Sequence, residues 1–218
     1  MALYCGIDLH STNSWIVVLE GSQKVLLDVR VHNDLSEILS ELEPFKERLE
    51  GVALESTFNW YWLADGLMEA GYRVHLTNTC AARQYVGLKH TDDRHDARWL
   101  AHMLALGLLP TGYIYPKEDR MVRDLFRRRS FLVESRTGFL LSMRGSIERL
   151  TAQRVSANEI KRWTGGNLEE LIEHPAPRMG IQAFLAVVHT LSAEVKKLEK
   201  EVLHQARQRE ELAFLRTV

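Results

Sequence analysis

Leu3-Tyr4-Cys5-Gly6-Ile7-Asp8 is an uncharged, largely apolar run closed by a carboxylate. Such a run reads as a short strand buried on both faces, with its acid at the strand end. The plan repeats at Gly51-Val52-Ala53-Leu54, which closes on Glu55. A third acidic group, Asp92-Asp93-Arg94-His95-Asp96, heads a stretch with helical spacing. Three separated segments thus each bring carboxylates to the end of an element. Grouped hard oxygen donors suit Mg²⁺ or Mn²⁺, and a two-ion centre for phosphodiester chemistry holds its ions about 3.5–4 Å apart.

Working outward, residues 14–19 and 25–31 are rich in β-branched and apolar residues and are separated by the turn signal Gly21-Ser22. Short loops between the first three runs predict an antiparallel meander. Asn33-Asp34 offers a cap for a helix carrying Leu35, Ile38, Leu39 and Leu42, which stops near Pro44. A strand over 52–55, a helix over 60–70 ending at Gly71 and a strand over 73–76 follow. The order β-β-β-α-β-α-β-α matches an α/β, ribonuclease-H-like mixed sheet with helices. In that fold the first strand is central and the fourth lies beside it, making Asp8 and Glu55 neighbours.

The next helix starts at Thr91 or Asp92, with Ala97, Leu100, Ala101, Leu104 and Leu108 at helical spacing and Pro110 beyond its end. Asp93 and Asp96, three apart, share one face with Ala97, Leu100 and Leu104. Both carboxylates therefore head the stripe that packs on the sheet.

Beyond residue 112 the character changes. Residues 117–162 hold twelve basic and six acidic side chains, a local +6 against −7 for the remainder of a chain whose net charge is −1. Interspersed Leu125, Leu132, Leu140 and Leu141 predict one long amphipathic helix. Its arginines Arg120, Arg123, Arg127, Arg128, Arg129, Arg136 and Arg144 are candidates for phosphate backbones, although such runs also serve as solvated faces. After Pro175 and Pro177, the series Ile181, Phe184, Val188, Leu191, Val195, Leu198, Val202 alternates in steps of three and four. It predicts a coiled coil, with a second subunit or folded back on the arginine helix. The expected segments are 1–112, 113–174 and 175–218. Two cysteines, Cys5 and Cys80, have no metal-ligand spacing and form no disulfide framework. No uncharged apolar run approaches the roughly 20 residues a bilayer needs, so a soluble, cytoplasmic protein without a membrane partner is expected. Trp60-Tyr61-Trp62 reads as helix core.

Gly6-Ile7-Asp8, Leu54-Glu55-Ser56, residues 89–97 (KHTDDRHDA), Leu108-Leu109-Pro110, Tyr115-Pro116 and the run from Arg127 through Val133 to Arg136-Thr137 resemble the N-terminal part of DEDD transposases of bacterial insertion sequences. These are relatives of Piv-type invertases that act as bridge-RNA-guided recombinases. The resemblance covers nearly the whole chain. It implies a RuvC-like domain whose catalytic, Mg²⁺- or Mn²⁺-binding tetrad is Asp8, Glu55, Asp93 and Asp96. Asp93 is preferred over Asp92 by the family's spacing of three. It further implies DNA and a guide RNA as partners and a C-terminal domain with a serine nucleophile that nothing here matches, so that the chain reads as cut short. A homodimer or higher homo-oligomer is expected from the coiled coil.

Three other readings compete. Gly6-Ile7-Asp8-Leu9-His10-Ser11-Thr12-Asn13-Ser14 is similar to the phosphate loop of actin-like ATPases, but His10 stands where glycine is wanted. A stand-alone RuvC-type junction nuclease would share the tetrad and form no covalent protein–DNA link. A non-catalytic nucleic-acid scaffold would bind only structural metal.

Overall fold

The structure, a computed structural model, describes residues 1–21, 24–82 and 93–208. Expectations that fall on Ser22 and on residues 89–92 lie outside the described residues. The chain forms two compact units, Met1–Ile114 and Tyr115–Val218.

The first unit is built on a six-stranded sheet ordered β3-β2-β1-β4-β5-β6. Strands β1 (Leu3–Leu9), β2 (Asn13–Glu20) and β3 (Lys24–His32) form the antiparallel meander. Strand β4 (Leu49–Glu55) then pairs parallel to β1, and β5 (Val74–Thr77) parallel to β4. This is ribonuclease-H-like topology. A two-residue edge strand, β6 (Thr111–Gly112), pairs antiparallel to β5. It is too short to leave a periodic signal.

Central position explains the composition of β1. Its side chains alternate between two buried faces, so nearly every position is apolar. Leu3, Cys5, Ile7 and Leu9 look into the larger core, where they meet α1 (Leu35–Leu42) and α2 (Tyr61–Glu69). Helix α1 starts at Asp34, whose carboxylate accepts the Glu37 amide at 3.0 Å, and a turn of 3-10 helix at Glu43–Arg48 follows it. Helix α2 buries Leu63, Ala64 and Leu67. Trp60 and Trp62 pack against the same core. The chain turns from α2 toward β5 at Gly71, whose φ of 87° suits a residue without Cβ. A short helix α3 (Thr79–Ala82) comes next. Helix α4 (Asp93–Ala105) covers the other face of the sheet, with Ala97 and Ala101 against Val17 and Leu19, and Leu100 and Met103 against Ala53.

The second unit is helical: α5 (Lys117–Thr151), α6 (Ala157–Ile160), α7 (Gly165–Leu171) and α8 (Pro175–Gln208). Leu140, Met143 and Ile147 of α5 share a core with Ile181, Leu185 and Val188 of α8. Along α8, Ile181, Val188, Val195 and Val202, each seven residues from the last, are buried. No helix among the described residues is long and apolar enough to cross a membrane.

One expectation fails here. The single helix predicted over 117–162 stops at Thr151, and residues 157–160 and 165–171 form separate short helices. Ala152 takes a left-handed conformation at the C-cap, φ 57°. Ser156 then opens α6 with a capping box closed by Glu159. The local capping chemistry, not the charge pattern, sets that boundary.

An alanine in the left-handed region carries a steric cost that glycine lacks. Ala152→Gly is expected to stabilise the second unit by about 0.5–1 kcal/mol after the entropy of a freer unfolded chain is subtracted. A thermal melt should rise by a few degrees; a fall would show that the cap is not strained.

Candidate active site

The site begins with a missing side chain. A Cβ built on Gly6 would lie 2.0 Å from the Ala97 carbonyl oxygen and 2.6 Å from the Ala101 amide nitrogen. Backbone atoms cannot rotate aside, so only glycine lets α4 rest directly on β1. Asp8 follows Gly6 by two residues and projects from the same face of the strand. Asp96 immediately precedes Ala97, and Asp93 lies one turn earlier on the same helix face. The Gly6 contact thus brings the start of α4 over the end of β1. Register supplies the fourth carboxylate: Ile7 sits beside Leu54, so Asp8 and Glu55 leave adjacent strands at the same edge.

Asp8 is buried, at 3 % exposure, whereas Glu55, Asp93 and Asp96 are half-buried. Burial pushes the Asp8 carboxyl up from its ordinary 3.8 to about 6. His10 pulls it back, and the charges of Asp96, Glu55 and Asp93 raise it further. The charges of the other three carboxylates are thus all felt at Asp8. His10 Nε2 stands between two of them, 3.0 Å from Asp8 Oδ2 and 3.2 Å from Asp93 Oδ1. Ligand atoms of Asp8, His10 and Asp93 all fall within 4.8 Å of one another.

A divalent cation fits this set. The donors are mainly hard carboxylate oxygens, and their mutual repulsion is what a dication would relieve. Asp8, Glu55, Asp93 and Asp96 are the residues that would hold it. Asp92 lies outside the described residues; Asp93 has its Oδ1 3.2 Å from His10 Nε2.

Supporting groups surround this centre. Arg94 points away from it, with both Nε and Nη2 2.7 Å from Asp28 Oδ2 on β3. Trp15 Nε1 donates to the other oxygen of Asp28 at 2.8 Å. Asp28 thereby ties the start of α4 to β2 and β3. The loop after β1 is held through the His10 carbonyl, which accepts the side-chain amides of Asn33 and Asn59, each at 2.9 Å. Sequence reading passed over His10, Asp28, Asn33 and Asn59 as site residues. For His10 a signal existed: it stands two residues after Asp8, on the same side of an extended chain. The other three reach the centre across 20 residues or more of sequence, and no spacing rule points to them.

The arginines of α5 divide by environment. Arg123, Arg127, Arg128 and Arg144 are exposed. Arg123 lies 4.2 Å over the Tyr115 ring, Arg127 pairs with Asp124 at 3.4 Å, and Arg144 donates to the Val155 carbonyl at 3.0 Å. Arg129 grips Glu199 of α8 at 2.6 Å, and Arg136 reaches Ser192 at 3.4 Å. Arg120 is buried, at 2 % exposure. The predicted arginine face is thus partly a helix–helix seam.

Among known proteins, residues 5–151 match the family of transposases designated DEDD, of IS110 type. The chain is also similar to a solved structure of T. thermophilus RuvC in complex with a Holliday junction substrate, at 18% identity, over 51% of this chain and 100% of that one, with a TM-score of 0.39. No curated protein matches the chain.

Two outcomes follow from this geometry. Gly6→Ala should cost about 1–3 kcal/mol by overpacking and weaken Mg²⁺ binding, because α4 must lift away from Asp8; unchanged affinity by calorimetry would separate the helix seat from the site. The second concerns pH. Native Asp8 keeps its proton up to about pH 6, whereas its ordinary value is 3.8. Its contribution to stability therefore falls as pH rises between those values and stays lost above pH 6. Cation binding needs the ionised form, so Mg²⁺ affinity should drop about tenfold per pH unit below 6. A flat profile from pH 5 to 7 would remove Asp8 from the ligand set.

Proposed function

The chain belongs to the DEDD transposase family of IS110 type, and from that membership we propose that its four carboxylates carry out metal-dependent cleavage and transfer of DNA strands. The convergence of Glu55, Asp93 and Asp96 on the buried Asp8 carries the reading. Bound there, a divalent ion neutralises charge that builds on a phosphate as its ester bond breaks.

Each residue has a part suited to its position. Asp8, the most buried of the four, would hold the cation from the floor of the site. Glu55 supplies a carboxylate from the neighbouring strand. Asp93 and Asp96 close the site from above, so the seating of α4 decides whether the set is complete. Arg94 is drawn off to Asp28, which keeps a guanidinium from neutralising the carboxylates meant for a metal.

The finer parts of the proposal concern partners. Exposed Arg123, Arg127, Arg128 and Arg144 contact phosphates of DNA or of a structured guide RNA, and base pairing with that RNA selects the target, as in other guided systems. Copies of the chain associate through the helices of the second unit, where Phe131 and Leu141 are exposed apolar side chains. In the family, strand transfer is shared with a serine of a further domain. The protein works in the bacterial cytoplasm.

The test is nicking of supercoiled DNA in Mg²⁺ or Mn²⁺. Asp8→Asn, Glu55→Gln and Asp96→Asn should each reduce the rate by about a hundredfold or more. Nicking that survives all three variants would sink the reading. Binding offers a separate measurement: replacing Arg127 and Arg128 by alanine should lower the salt slope by about 2. An unchanged slope would return both arginines to the role of solvated surface.

A further inference from the structure

His10 is held more firmly than a surface histidine needs to be. It lies directly after β1, and the extended chain aims its ring toward the side of Asp8. Its carbonyl is gripped by two side-chain amides from different loops, Asn33 after β3 and Asn59 after β4, both at 2.9 Å. Each amide is itself fixed: Ser14 Oγ donates to Asn33 Oδ1 at 2.7 Å, and Thr57 Oγ1 donates to Asn59 Oδ1 at 3.0 Å. The His10 amide nitrogen donates to the Asn13 carbonyl at 3.0 Å. These bonds fix the backbone from which the imidazole projects toward both aspartates, and a metal site depends on the shell that positions its donors.

The spacing of the donors points the same way. Nε2 is 3.0 Å from one carboxylate oxygen and 3.2 Å from another on a different element. In an octahedral shell with bonds of about 2.1–2.2 Å, neighbouring donors stand about 3 Å apart. Resting on the carboxylate centre proposed above, we propose that His10 is a further metal ligand, which shifts the site's preference from Mg²⁺ toward first-row transition ions such as Mn²⁺. Mg²⁺ favours an all-oxygen shell and gives up water reluctantly, so an imidazole adds little to its binding. Transition ions gain affinity from a nitrogen donor, in an order that begins with Mn²⁺. The neutral ring coordinates through Nε2, the atom that already faces both aspartates.

The probe is Mn²⁺ itself, bound to the whole chain. Pulsed electron paramagnetic resonance should show modulation from a directly bonded ¹⁴N in the wild-type protein. Labelling histidine with ¹⁵N should change its frequency, and His10→Gln should remove it. By calorimetry, His10→Gln should weaken Mn²⁺ about tenfold or more and Mg²⁺ less than about threefold. Mn²⁺ that binds, is lost in Asp8→Asn, and yet shows no nitrogen signal would overturn the role of His10 and leave the carboxylate centre standing. In that case His10 only pairs with Asp8 and Asp93. Failure of the wild-type chain to bind either ion would instead remove the centre, and this proposal with it.

Discussion

The absence of one methyl group governs the first unit. With hydrogen at the Gly6 side-chain position, the backbone of α4 touches the backbone of β1, and Ala97 and Ala101 are small enough to preserve that approach. Asp93 and Asp96 inherit their positions from this contact, while strand register places Glu55. The helix N-terminus lands over the strand end, and the two-residue offset from Gly6 to Asp8 becomes the depth of the site. Helix and sheet packed at ordinary separation would leave Asp93 and Asp96 short of Asp8.

Crowding is the second constraint. Burying Asp8 opposes folding, three further carboxylates beside it add to the cost, and the raised Asp8 carboxyl records both, burial first. The chain offsets it with structure placed away from the acids. A central β-strand buried on both faces, the bridge from Trp15 through Asp28 to Arg94, and the amide grip on the His10 loop all hold the geometry without neutralising it. Function and stability pull against each other at Asp8, and the surrounding hydrogen bonds decide the outcome.

Much of this was legible in the residues. Apolar runs ending in Asp8 and Glu55 located two strands, and the fold rule for such an order made them neighbours. Asp93 and Asp96 read as heads of the sheet-facing stripe because Ala97, Leu100 and Ala101 follow them at helical spacing. The failures have physical causes. Charge composition suggested a helix through residue 162, but a left-handed Ala152 and a Ser156 cap are single-residue events that composition averages away. Composition also could not show that Arg129 and Arg136 meet Glu199 and Ser192, 70 and 56 residues on. His10 was visible as a histidine near an aspartate; only the two asparagines that hold its carbonyl distinguish it from any other.

The grip on the His10 carbonyl has a consequence for assembly. Asn33 belongs to the loop leaving the meander, and Asn59 to the loop entering α2, so segments on both sides of β1 in the sheet must be in place before the loop is fastened. Glu55 and the start of α4 add two more independent segments. The centre is therefore assembled from segments distant in sequence, and no single stretch of chain carries it. An ion would thus report on the completed fold: a chain that has lost the packing of any one of these segments would lose the place to hold it.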